Sequence, residues 1–430
     1  TEGVNTYIAS LELDDLPVEY KLLDYTPEPW SAFKSSLLLK YMAKMLTGTE
    51  RDRPNTEALK LLGPELFNLL FPDQNYLDDP IVPGFAPDTS LTNTKALADF
   101  ALGGSWPKGE IQPHIVGSNN WAVSGDRTES GVAILCNDPH LRLSLPSIWY
   151  EVQLHGPDVN CYGVSLPGAP GITIGFNDSI AWGVTNAGRD VKDYYAMDIV
   201  DVNEGTYRFG GEVLTAEKRI EEIKIRRQES VYDTVLYTVL GPIAYSEKKT
   251  NQYLALRWLA HDPSNELLTF YKLNRARNFQ DYKEALSTYQ CPGQNFAYAD
   301  ASNNIAIWQH GKFKIKPENY GRFILDGTDP SHLNESFIPQ MHNPHMLNPA
   351  RGFVSSANQA SADTSYPYYF SGVYEEFRNR TINRFLASDS TVTKEEMMQL
   401  QLSNYNLLAQ EALPLMLEML DTSRFLNNEY

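Results

Sequence analysis

The chain has 430 residues, with 42% apolar and 21% charged side chains, the balance of a globular protein large enough for one composite domain or two packed lobes. Its net charge of −18, from 36 basic and 54 acidic residues, repels phosphate backbones and argues against a nucleic-acid partner, while leaving carboxylates for a bound Ca²⁺. No stretch approaches the roughly 20 apolar residues of a membrane span, and three cysteines without CxxC spacing argue against a zinc site or a disulfide scaffold.

The chain opens at Thr1-Glu2-Gly3-Val4 without a signal peptide and reads as cut from a longer precursor. Residues 27–72 read as helical: Ser31 can cap a run in which Leu37, Leu38, Tyr41, Met42 and Met45 recur at helical spacing, and a second helix spans Thr56 to Leu70. Residues 72–117 are rich in Pro, Gly, Asp and Asn and carry no period. Structureless loops beyond about 15 residues are rare inside a domain, so a disposable linker explains this stretch better. The texture then turns to strand, with GVAILCN, YEVQLHG, NCYGVSLPG, GITIGF, IAWGVTN and DYYAMDIV broken by Gly, Asn, Asp and Pro. Residues 200–325 continue in hairpin style, and helix returns after Tyr374. Helices, then strands, then helices predict layered helices on sheets, of the α+β or α/β kind. The three thiols Cys136, Cys161 and Cys291 are expected to be buried.

Familiar catalytic signatures are missing. There is no HExxH, Walker loop or GxGxxG, and Gly163-Val164-Ser165-Leu166-Pro167 has Pro where a nucleophile elbow needs its second Gly. What remains is HIVGSNNWAVSG (114–125), where the linker meets the first strand. If the bond before Ser118 breaks, a hydroxyl and a free α-amine lie on one residue. Such an amine, with a pKa of about 7.7–8.0, can act as general base without a histidine. A simple Gly-Ser turn is the other reading of the same residues.

GSNNWAVSG, then LCNDPHL (135–141), then PGAPGITIGFNDSIAWGVTNAGRDVKDYY (167–195), resembles the penicillin acylase family of N-terminal-nucleophile (Ntn) amidohydrolases. NFAYADASNNIAIW (295–308), GFVSSANQ (352–359), RNRTINRFL (378–386) and the helical segments 27–46 and 62–72 extend the resemblance over nearly the whole chain. It implies an α+β fold with an αββα four-layer core. It also implies a small-subunit helical portion (1–72), a linker removed on maturation (73–117) and a large-subunit portion (118–430) of a partial precursor. The implied activity is hydrolysis of an N-acyl amide, a penicillin or an N-acyl-homoserine lactone, in a periplasmic or secreted enzyme. Its partners would be the small substrate and its own other subunit, with no membrane and no organic cofactor. An uncut member acting as a secreted binding protein is the alternative.

Residue by residue, the resemblance implies Ser118 as nucleophile and amine base, the Asn186 backbone N–H and the Asn358 side-chain amide as oxyanion donors, and His140 and Arg378 beside them. It implies an acyl pocket around Met42, Leu46, Leu141, Ile174 and Val184, all apolar. It also implies a structural calcium held by Asp52, Asp190, Asp193 and the Lys192 carbonyl, with two departures. A Pro ligand position holds Lys314, and SYPYYFSG (365–372) offers no match for a further Asp.

Overall fold

The computed structural model describes residues 1–47, 51–73, 79–88, 117–247, 251–333, 335–388 and 391–420. Two short helices that the sequence reading did not anticipate, α1 (Glu2–Ser10) and α2 (Val18–Leu23), precede α3 (Ala32–Leu46). Ser31 caps α3 as expected, its hydroxyl accepting from the Lys34 N–H at 3.4 Å. Helix α4 (Asp52–Leu70) follows and kinks at Gly63-Pro64, where Gly63 takes φ 72° that a side chain would oppose.

Among the described residues the strands form three sheets. The first places β1 (Gly117–Val123) between β2 (Ile134–His140) and β18 (Phe353–Ser356). The second has seven antiparallel strands in the order β17-β15-β14-β6-β5-β4-β3. These are β3 (Tyr150–Gly156), β4 (Val159–Ser165), β5 (Ile174–Asn177), β6 (Ile180–Asn186), β14 (Gln294–Asp300), β15 (Ile305–His310) and β17 (His345–Leu347). The third is built on β7 (Lys192–Asp201), with β8 (Thr206–Phe209) and β9 (Glu212–Thr215) on one side. On its other side run β13 (Gln252–Trp258), β12 (Gly241–Glu247), β11 (Val231–Thr238) and β10 (Glu217–Ile223). The short β16 (Leu325–Asp326) pairs β7 in parallel.

Residues 200–325 are not strand throughout: they contain α5 (Glu266–Leu273) and α6 (Phe279–Leu286), each opened by an asparagine cap, Asn265 and Asn278. These helices bury Phe270, Leu273, Tyr282 and Leu286 against Trp182, Phe296 and Tyr298 of the seven-stranded sheet. On the three-stranded sheet, Trp121, Val123 and Phe353 pack against Ile382 and Leu386 of α7 (Arg378–Leu386) and Met397 of α8 (Lys394–Gln401). Helix α9 (Leu407–Met419) ends the described chain. The three cysteines are unpaired; Cys161 and Cys291 are buried and Cys136 is half-buried.

Between the first two sheets lies a seam of amides. Asn120 Nδ2 donates to Asn295 O at 3.0 Å, and Asn137 Nδ2 donates to Asn119 O at 2.9 Å and Val184 O at 3.1 Å. The Val184 N–H returns a bond to Asn137 Oδ1 at 2.8 Å. Gly183 must be glycine here, because a Cβ would lie 2.6 Å from Asn137 Oδ1. Replacing Asn137 by Ala leaves these strand groups short of partners. We expect Asn137→Ala to lose about 1–3 kcal/mol of stability, read as a lower urea midpoint with unchanged slope. An unchanged midpoint would refute the seam's contribution.

Candidate active site

Ser118 is the second residue of β1, the central strand, and is 3% exposed. Its neighbour across the ladder is Pro139, which has no N–H to offer. The Ser118 carbonyl instead accepts from Arg378 Nη1 at 3.0 Å. Ser118 Oγ donates to the Gly117 carbonyl oxygen at 2.6 Å, and the Ser118 N–H donates to Asn358 Oδ1 at 2.6 Å. The hydroxyl therefore lies against the carbonyl of the peptide bond that precedes it.

Asn358 holds φ 69°, a left-handed conformation that asparagine tolerates better than most residues. Its Oδ1 also accepts from Arg378 Nη2 at 2.9 Å, and its Nδ2 donates to Asn186 O at 2.8 Å. Arg378, the first residue of α7, reaches Asn119 Oδ1 as well, at 2.5 Å, so one guanidinium holds three oxygens around the serine. Burial lowers the Arg378 pKa, with Glu375 and Asp138 pulling the other way. His140 ends β2 with Nε2 2.7 Å from Asp138 Oδ2 and 3.4 Å from Asn119 Nδ2. A Cβ on residue 117 would lie 3.0 Å from Arg378 Nη2 and 3.2 Å from His140 Nδ1, so these side chains close over Gly117.

Ser118 opens on a cavity of about 640 Å³, counting the solvent at its mouth. Met42 and Leu46 of α3, Leu141, Ile174 of β5, Val184 of β6 and Asn186 all line it, so the structure brings together every pocket residue the sequence suggested. Sequence reasoning missed Trp149, Glu266, Phe270, Tyr289 and Gln294 of the same lining. Glu266, 3% exposed, opens α5; its carboxylate accepts from Ser264 Oγ at 2.9 Å and the Cys291 N–H at 3.2 Å. Its fixed place in a mostly apolar wall carried no signal in the sequence.

The residues suggested for calcium also meet, at the junction of α4 and β7. Asp52, Asp193 and Lys192 are buried, and the Lys192 N–H donates to Asp190 Oδ1 at 3.2 Å. At their centre is a residue not anticipated: Lys316 Nζ donates to Asp190 Oδ2 at 2.6 Å and Asp193 Oδ1 at 2.9 Å. Burial, and then the charges of Asp190 and Asp193, raise the Asp52 pKa well above the carboxylate range. Burial works against the Lys316 ammonium, yet Asp190 and Asp193 hold its pKa above the usual lysine value.

The penicillin amidase family model matches residues 1–429. An acyl-homoserine lactone acylase, QuiP, of Pseudomonas aeruginosa is 25% identical over 93% of this chain and 49% of its own. A penicillin acylase 2 proenzyme of Pseudomonas sp. (strain SE83) is 25% identical over 90% of this chain and 50% of its own. The chain thus spans about half the length of these curated relatives. Thermostable penicillin G acylase from Alcaligenes faecalis shares the fold, with a TM-score of 0.61 at 22% identity over 71% of this chain and 57% of that one.

Arg378→Met removes all three donations at once, while Arg378→Lys keeps the charge but not the planar fork. We expect Arg378→Met to lose about 1–3 kcal/mol and Arg378→Lys to recover only part of it, measured by urea unfolding. Equal stability of both variants with the parent would show that the guanidinium does not organise the site.

Proposed function

The chain belongs to the penicillin amidase family, and from that premise we propose that it is a self-cleaving amidohydrolase whose nucleophile is Ser118. One observation carries the reading: the Ser118 hydroxyl rests on the Gly117 carbonyl while the same residue faces an apolar cavity. In the first reaction Oγ adds to the Gly117 carbonyl carbon, the C–N bond breaks, and the nitrogen takes the proton. Water then hydrolyses the ester, leaving a Gly117 carboxylate and a free Ser118 amine.

In turnover that amine accepts the Oγ proton as Oγ attacks the substrate amide carbonyl. The proton passes to the leaving amine, and water cleaves the acyl-enzyme. The oxyanion is held by the Asn186 backbone N–H and by Asn358. The Asn358 amide carries two N–H groups, and the bond to Asn186 O uses one of them. Each such donor contributes roughly 3 kcal/mol to the transition state. Arg378 and His140 position these groups. The lining of Met42, Leu46, Leu141, Ile174 and Val184 suits an apolar acyl chain. A penicillin-like β-lactam and an N-acyl-homoserine lactone, the substrate types in the relatives' names, are both candidates.

The layering of α7 and α8, the three-stranded sheet, the seven-stranded sheet, and α5 and α6 supports an αββα Ntn core. The helical portion 1–72 would then belong to the small subunit and 118–430 to the large. Within the linker suggested for 73–117, Ile81 and Val82 are buried, and their N–H groups donate to Ala360 O and Ser361 O, both at 3.0 Å. We therefore place the excised part beyond residue 88, and 89–116 lie outside the described residues. The family supports a periplasmic or secreted address, and no described helix is long and apolar enough to cross a membrane.

N-terminal sequencing of the purified protein should find a fragment beginning Ser-Asn-Asn-Trp. Ser118→Ala should stay uncut and lose at least a thousandfold in amide hydrolysis, on the order of removing a catalytic nucleophile. Retained hydrolysis by Ser118→Ala would overturn the assignment. Initial rates on an aromatic penicillin and on acyl-homoserine lactones of rising chain length decide between the two substrate types.

A further inference from the structure

The family resemblance implies a divalent cation among Asp52, Asp190 and Asp193, and the side chains present can be tested against it. Calcium asks for six to eight oxygen ligands at about 2.3–2.6 Å. Here the point shared by Asp190 and Asp193 is taken by Lys316 Nζ, at 2.6 and 2.9 Å from their oxygens. An ammonium offers three donors and no lone pair, so it competes with a metal for the same carboxylates instead of joining its coordination shell. The same oxygen of Asp190 is crowded from another segment. Gly321, at φ 81°, packs so closely that a Cβ there would meet Asp190 Oδ2 at 2.0 Å. Among the described residues no group of three or more His, Cys, Asp or Glu side chains is disposed to hold a metal ion. The residues present do not fit calcium.

They fit an internal cation. Lys316 is itself 6% exposed, and its approach to two carboxylates has the short distances of charge-assisted hydrogen bonds. Two of its three N–H groups are used there. Asp52 lies beside the pair, with its Oδ2 buried without a hydrogen-bond partner. Asp190 and Asp193 flank the start of β7 and Lys316 comes from beyond β15, so one ammonium ties that later segment to the entry of β7, with Asp52 at the start of α4 beside it. Other charges facing the cluster are Lys314, Arg257, Lys312 and Glu335, which line the adjoining surface cavity with Asp190, Asp193 and Lys316.

We propose that Lys316 is this chain's built-in replacement for the structural cation, so that the entry to β7 is held by a lysine and the fold is independent of calcium. The replacement explains why one lysine is buried among three aspartates. It also explains why the other expected ligand positions could change, one of them to Lys314, without loss of the fold.

The test uses the purified protein and three readings. After dialysis against metal-free buffer the parent should contain well under one calcium per chain by elemental analysis. Its melting temperature should be the same in excess chelator and in millimolar calcium. Lys316→Met removes the ammonium and leaves the carboxylates unpaired; it should melt several degrees lower than the parent. The double variant Lys316→Met with Asp190→Asn, which removes charge of both signs, should recover part of that loss. One calcium per chain in the dialysed parent, or a fall of several degrees on chelation, overturns the proposal. So does a Lys316→Met variant that melts with the parent. If Lys316→Met does not fold, the metal content and chelator response of the parent still decide.

Discussion

The amides between the first two sheets are the constraint on which the rest of the molecule depends. Two sheets can slide when only methyl groups separate them, because apolar contact has no direction. A buried amide is different: each unmet donor or acceptor costs on the order of 1–3 kcal/mol, so it tolerates one register and penalises the others. Asn120, Asn137 and Asn295 bind across the seam, and Thr185 Oγ1 meets Ser356 Oγ at 2.7 Å in the same layer. Asn120 lies two residues from Ser118 on β1, so the register that satisfies the seam also sets where the serine hydroxyl stands.

From that fixed strand the site assembles by default. Helix α7 packs on the outer face of the three-stranded sheet through Ile382 and Leu386, which brings Arg378 at its start over Gly117 and Ser118. The turn after β18 carries Asn358 in a left-handed conformation and aims its amide at β1 and β6 together. Helix α3 then closes the cavity from the opposite side with Met42 and Leu46, and Asn186 Nδ2 holds it there by donating to Leu46 O at 2.7 Å. Most of the groups are held by other protein groups, which is the electrostatic preorganisation that the proposed reaction asks for.

How much was legible in the sequence follows from the range of the interaction concerned. YEVQLHG and IAWGVTN became β3 and β6 because their signals, alternation or a short apolar run between turn residues, are local. The cap of Ser31 was legible for the same reason. Helices α5 and α6 were hidden among hairpins, although Asn265 and Asn278 each stood at a cap position before about two amphipathic turns. At eight residues each, they are too short for periodicity to outweigh their surroundings. Ser118 stood out where the linker meets the first strand, although a Gly-Ser turn fitted the same residues; Asn186 and Asn358 could be named only through resemblance, since nothing near Asn358 in sequence points to Ser118, 240 positions away. Lys316 was invisible for a similar reason: its partners Asp190 and Asp193 lie 126 and 123 positions off.

The burial of Ile81 and Val82 beside Ala122 and Val354 has a consequence for how such a protein ages. While the backbone is continuous, the segment ahead of the proposed cut is tethered to its own binding groove, and docking is a first-order event at high effective concentration. With the tether removed by the proposed cleavage, the same contacts would persist, but re-formation after unfolding would become a bimolecular search with no linker to guide it. The mature molecule would then rely on the height of its unfolding barrier, and not on the equilibrium that assembled it.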